Sequence, residues 1–259
     1  MRDMDITQKD QFVRLWRKYF DDAELPIVFY YADDPSAGDV VPPPGGHRCI
    51  FAELSRVRNG QSLCFNAESI GCFGGQRYAG FSDAAMPNFE DFLSCGIPGK
   101  LEGERYKKTP ELVTQWMQEV PQLQAPARFI VFKRWDRLEE SDEPGVIIFF
   151  ARPDVLSGLF TLANFDIADP NGVFAPFGAG CASTLKYPYL EIESDSPRAV
   201  LGFFDVSARP FVAGDTLTFS VPMKRFQQMI ANMEESFLVT GSWRKLQKRI
   251  AEAQEKRSQ

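Results

Sequence analysis

The chain holds a single histidine, His47, in 259 residues. That scarcity excludes a metal site needing two histidines from one chain, and any serine–histidine–aspartate triad would have to use His47 itself. Cysteine is sparse too. Cys49, Cys64, Cys72, Cys95 and Cys181 contain no C-x-x-C pair of the kind that common zinc and iron–sulfur sites use. An odd number at irregular spacing reads as thiols, ligands or nucleophiles in a reducing compartment, not as a disulfide framework. No apolar run approaches the roughly 20 residues that cross a bilayer; the longest, such as "VIIFFA" from Val146, are strand-sized. The start, "MRDMDITQKD", is too polar and acidic for a signal peptide. A cytoplasmic location is therefore expected, with no membrane partner. A basic surplus is also missing. The net charge is −6 and the basic residues are scattered, so no nucleic acid partner is expected. No G-x-G-x-x-G follows a strand and no P-loop occurs, so neither nucleotide-binding fingerprint is present.

What remains is ordinary globular material, 44% hydrophobic and 25% charged, with a generous supply of 23 phenylalanines. The length suits one large domain or two tightly packed halves. Phe12, Leu15, Trp16, Tyr19 and Phe20 recur at helical spacing behind a Thr7 cap. "LPIVFYYA" (25–32) reads as a buried strand, and the proline-rich stretch 33–46 as a surface loop. A short helix is expected over 49–60, a strand at "SLCFNA", irregular chain over 71–80 and a short helix over 87–96. Thr109 and Pro110 open a helix whose buried stripe would be Leu112, Val113, Trp116, Met117 and Val120. Strands follow at 128–135, 146–152 and 216–222, with helices at 153–165 and 223–240. The strand from Val146 is too apolar to be exposed on either face. The mixture predicts an α+β (or α/β) fold. It would be a single compact unit, residues 1–243, of two intertwined halves (25–125 and 126–222) with a mixed sheet and flanking helices. A helical tail, 244–259, would follow. The halves look duplicated: in each, a strand leads through a loop to a cysteine that opens a short helix, Cys49 in one and Cys181 in the other.

At Cys49, Gly71-Cys72-Phe73-Gly74-Gly75, Gly103-Glu104-Arg105-Tyr106, Thr109-Pro110-Glu111 and Cys181 the chain resembles the domain-of-unknown-function-169 family. "SVP" (220–222) and "ESF" (235–237) add to the likeness, which runs from about residue 25 to about 243. The resemblance implies a shared fold and a cysteine- and glycine-rich site. It supplies no reaction.

Three cysteines carry the functional expectation. Gly71, Gly74 and Gly75 around Cys72 allow backbone N–H groups to converge on one point, which binds anions or lowers a thiol pKa. Cys49 and Cys181 sit at helix N-termini, where a thiolate is favoured. The alternative is that each sulfur fills a small buried space. Cys64 and Cys95 read as core or near-core packing. His47, two residues from Cys49, is either base or ligand, or a solvated loop residue. Arg77 and Arg105 can hold an anionic ligand or pair with Asp83 or Glu104; Arg209 can do the same or pair with Asp205. Phe174 and Phe177, beside Cys181, are pocket wall or loop anchors.

The expected function is binding of a small-molecule ligand, metal or redox cofactor in a cysteine- and glycine-lined cleft. Cys49, Gly71, Cys72, Gly74, Gly75, Arg77 and Cys181 would hold the ligand. The cofactor is unknown; Cys49, Cys72 and Cys181 would ligate an iron–sulfur cluster or other metal if one is present. The alternatives are a thiol-nucleophile enzyme on a small molecule, or a noncatalytic domain with purely structural cysteines.

Overall fold

The computed structural model describes residues 6–21 and 23–258. The strands, in chain order, are β1 (Ile27–Ala32), β2 (Asp39–Val40), β3 (Leu63–Phe65), β4 (Gly96–Ile97), β5 (Leu101–Glu102), β6 (Phe129–Arg134), β7 (Val146–Ala151), β8 (Val173–Phe174), β9 (Ala199–Gly202) and β10 (Leu217–Pro222). β4 and β5 make a small hairpin; the other eight form one mixed sheet in the order β2-β3-β6-β1-β7-β10-β9-β8. The helices are α1 (Ile6–Phe20), α2 (Ile50–Arg58), α3 (Phe73–Tyr78), α4 (Phe89–Leu93), α5 (Pro110–Glu119), α6 (Pro153–Leu162), α7 (Tyr187–Leu190), α8 (Met223–Asn232) and α9 (Gly241–Ser258). A π-helical turn, Ala182–Lys186, runs into α7. The fold is α+β with a mixed sheet.

The sheet reads the same from both edges. Outward from the centre the order is β1, β6, β3, β2 on one side and β7, β10, β9, β8 on the other. In each set the central strand comes first in the chain and the edge strand second. The edge strand's parallel neighbour comes third, and the fourth returns between the two. The segments opened by Cys49 and Cys181 thus occupy matching places, each joining an edge strand to its parallel neighbour. By strand order, Phe129–Arg134 sits with the first set.

Side chains alternate across the sheet, as strand geometry requires. Val28, Ile147, Phe149 and Phe219 face one side and pack on Phe12, Trp16 and Phe226 of α1 and α8. Ile27, Phe29, Phe132, Ile148 and Phe150 face the other and pack on Ile50, Phe51 and Leu54 of α2. All six residues of β7 are buried because both of its faces are covered.

Local departures from the sequence expectation have physical reasons. Residues 73–78, expected as irregular, wind into α3 despite two glycines. The buried stripe expected on α5 reduces to Val113; Leu112 is 44% exposed, because this helix lies on the surface with solvent on its outer face. The helix expected over 223–240 stops at Asn232, and a 3-10 turn, Phe237–Val239, follows. Thr7 lies inside α1, which begins at Ile6. Within the loop 33–46, Asp34 caps a 3-10 turn and β2 pairs with β3. Cys64 is buried in β3 as expected, but Cys95 is exposed, at the turn into the β4–β5 hairpin. In the tail, Trp243 packs α9 against Phe20 and Phe237.

Candidate functional site

Cys49, Cys72 and Cys181 come together on the α2 side of the sheet. Cys49 and Cys72 are extended residues immediately before α2 and α3, whereas Cys181 is already helical and leads into the π turn. Cys72 is the centre. The thiols of Cys181 and Cys49 lie within hydrogen-bonding reach of its sulfur, and the N–H groups of Ile50 and Gly75 donate to it. Those donors hold Cys72 far below the ordinary thiol range, outweighing the opposing effect of burial. The cost falls on its neighbours. Giving a proton towards Cys72, with burial added, pushes Cys49 and Cys181 well above the ordinary range. The arrangement favours ionisation of Cys72 over that of Cys49 and Cys181. Cys72 and Cys181 are buried, and Cys49 is half-buried.

The glycines explain the geometry differently from expectation. A Cβ on Gly75 would lie 2.7 Å from Cys72 Sγ and 2.8 Å from Ile70, so the glycine makes room for the sulfur. A Cβ on Gly71 would lie 2.5 Å from Pro44, and its carbonyl accepts the Arg48 N–H at 3.0 Å. Gly71 and Gly75 therefore accommodate the chain's own atoms. Gly74 meets nothing nearer than the Tyr78 ring at 3.8 Å and opens onto a cavity.

That cavity, about 540 Å³, is walled by Phe73, Tyr78, Phe89, Phe92, Tyr106 and Trp116 from one part of the chain and by Phe177 and Phe204 from another. The polar groups on its wall are His47, Arg77, Glu104, Ser183, Asp205 and Ser207. The wall is aromatic, not cysteine-lined. None of the three thiols lines it: Cys72 is next in the chain to wall residue Phe73, Cys181 lies two residues from Ala179 and Ser183, and Cys49 lies two from His47. Trp116 meets Phe177 edge-on at 5.6 Å, and Lys107 sits over the Phe177 ring at 4.2 Å. A larger hollow of about 790 Å³ between α1, α6 and α9 brings no cysteine or histidine to its wall.

These contacts place the other candidates. Arg77 is on the wall, but its guanidinium donates to the carbonyls of Asp83 (2.5 Å) and Ala84 (3.1 Å) and to Gln122, not to Asp83 or Glu104 carboxylates. Arg209 ties down its own loop through the carbonyls of Thr216, Ala213, Gly214 and Phe203, and does not pair with Asp205. Asp205 instead accepts from the Gly180 and Ser207 N–H groups. Arg105 holds a left-handed backbone, φ 56°, off the wall. His47 is exposed on the cavity rim, and the donors to Cys72 are thiols and amides. Phe177 is wall; Phe174 is not, and carries Arg198 over its ring. Among the described residues no group of three or more His, Cys, Asp or Glu side chains is set to hold a metal ion. The metal-ligand expectation for Cys49, Cys72 and Cys181 therefore finds no geometric support.

The family model of domain of unknown function 169, described as uncharacterised ArCR, matches residues 18–232. The chain belongs to this DUF169 family. No curated protein and no solved structure matches it. The DUF169 match contains all three gathered thiols and every cavity wall residue, and ends where α9 has yet to begin. Among the described residues no helix is long and apolar enough to cross a membrane.

The sequence reading did not single out Lys186 or Tyr78. Lys186 closes the π turn, 3% exposed, with its ammonium over the Tyr187 and Tyr78 rings at 5.0 and 5.1 Å. A signal was present: Lys186 is the one charged residue in "GAGCASTLKYPYL" (178–190).

Proposed function

We propose that this DUF169 protein binds a small molecule with a flat apolar body in the aromatic cavity, in front of a reactive Cys72 thiolate. The supporting observation is the pairing itself: a cavity of ligand size walled by aromatic rings, and a thiol with a lowered pKa, Cys72, immediately before wall residues Phe73 and Gly74 in the chain. Two free thiols within reach of a third suit a reducing compartment, and we place the protein in the cytoplasm on that ground. The test of binding is titration with N-phenyl-1-naphthylamine, a neutral, flat, fluorescent probe. One site with micromolar affinity is expected, weakened by substitutions at the wall. No saturable binding sinks the pocket reading.

A second reading, an enzyme using Cys72 as nucleophile, is favoured by the thiolate's donor set, which removes the need for a nearby base. Labelling with methyl methanethiosulfonate, followed by mass spectrometry, separates it from a packing role. Cys72 is expected to react at pH 6 nearly as fast as at pH 8, while free glutathione assayed alongside slows by about tenfold per pH unit below the ordinary thiol range. Equal acid sensitivity of Cys72 and glutathione leaves the thiols as packing.

A further inference from the structure

Lys186 is a buried amine that forms no ion pair and no hydrogen bond among the described residues; only the Tyr78 and Tyr187 ring faces attend it. Burial, with the Arg77 charge beside it, pushes its pKa down to about 8. Leaving a charge in that position is costly, and an apolar residue of equal length would fill the space without the cost. The residue closes a π turn, a distortion that recurs at functional sites.

Its two neighbours belong to the cavity. Tyr78, whose ring carries the ammonium on one side, is wall, and so is Arg77. Arg77, half-buried, also forms no ion pair, since its partners are neutral carbonyls and an amide. The carboxylates on the wall make their contacts with neutral groups and not with Arg77 or Lys186. Asp205 accepts from Gly180 and Ser207, and Glu104 accepts from the Tyr106 hydroxyl. Arg77 on the wall and Lys186 beneath the Tyr78 ring thus lie at one end of a cavity that also carries Glu104 and Asp205, and among the described residues neither cation is joined to an acid by an ion pair.

We propose that Arg77 on the wall, backed by Lys186 behind the Tyr78 ring, makes the anion-binding end of the cavity, so that the ligand is an organic anion: a flat apolar body with one acidic head group. This rests on the pocket reading and names its substrate class. The positive field draws the head group towards the Arg77–Tyr78 end, and the aromatic wall takes the body.

Two probes that share a body separate this claim from the pocket reading. 8-Anilinonaphthalene-1-sulfonate is N-phenyl-1-naphthylamine with an added anionic head. The wild type is expected to bind the sulfonate at least about tenfold more tightly than the neutral probe, the effect of one charge-assisted contact. In Lys186→Met and Lys186→Gln that preference should shrink towards unity, with neutral-probe affinity and melting temperature held or raised. Equal affinity of the wild type for both probes overturns the anion assignment and leaves the pocket standing. So does a preference that survives in both Lys186 variants and in Arg77→Gln. Absence of binding by either probe removes the pocket and the assignment together.

Discussion

At the scale of single residues, the chemistry turns on how Cys72 is held. Its thiolate needs donors at the right distance, and Gly75 is the residue that permits the approach. A Cβ there would stand 2.7 Å from the sulfur, inside any real contact, with Ile70 closing the other side. Gly75→Ala must therefore push the sulfur away from the Gly75 N–H and from its thiol donors. We expect the Cys72 pKa to rise by at least about one unit, equivalent to about 1.4 kcal/mol of lost thiolate stabilisation. The measurement is thiolate ultraviolet absorbance against pH, with Cys72→Ser subtracted. An unchanged titration would falsify the donor arrangement. The residue types of this site were legible in the sequence: three cysteines at or near helix starts, and glycines around one of them. What the glycines accommodate was not, because that depends on atoms brought in from Pro44 and Arg48 and from Cys72 itself. Lys186 was legible only as an oddity. Nothing in a linear string shows that its carboxylate partner is missing.

At the scale of elements, helix α5 shows how pattern and position part ways. Its cap and first turn are as the sequence dictates: Thr109 accepts the Leu112 N–H, and Pro110 occupies the first helical position. Its apolar residues suggested a stripe sunk in a core. The structure buries Val113 alone and turns Trp116 to the cavity, against Phe177. Periodicity reports that a face is covered; it cannot say whether side chains or a ligand cover it. The same ambiguity hid α3, whose two glycines argued against a helix. Trp116 thus separates wall from core. Trp116→Ala is expected to weaken N-phenyl-1-naphthylamine binding by about tenfold, in line with loss of one aromatic contact. Its melting temperature should fall by only a few degrees, since the ring is half-exposed. A core tryptophan would instead cost about 3–5 kcal/mol. A large stability loss with unchanged probe affinity would return Trp116 to the core.

At the scale of the whole molecule, the sheet order was beyond what the sequence could supply. Mixed strands and helices pointed to the class, and the matching cysteine segments hinted at two related halves. The pairing of β1 with β7 at the centre, however, depends on long-range register that no local pattern encodes. That pairing has a thermodynamic consequence. Eight strands share one continuous ladder, and both core layers draw on strands from each side of the centre. The cavity does likewise, with Phe73, Tyr78 and Trp116 from residues between β3 and β6, and Phe177 and Phe204 from residues beyond β7. A ligand held there bridges both sets and must stabilise them together. N-phenyl-1-naphthylamine at about 100 times its dissociation constant should raise unfolding free energy by about 2.7 kcal/mol. For a chain of this size that corresponds to roughly 5–10 °C in melting temperature. Calorimetry should show one transition moving as a whole. Two transitions, with only one responding to the probe, would mean that the sets unfold separately and that the cavity belongs to one of them.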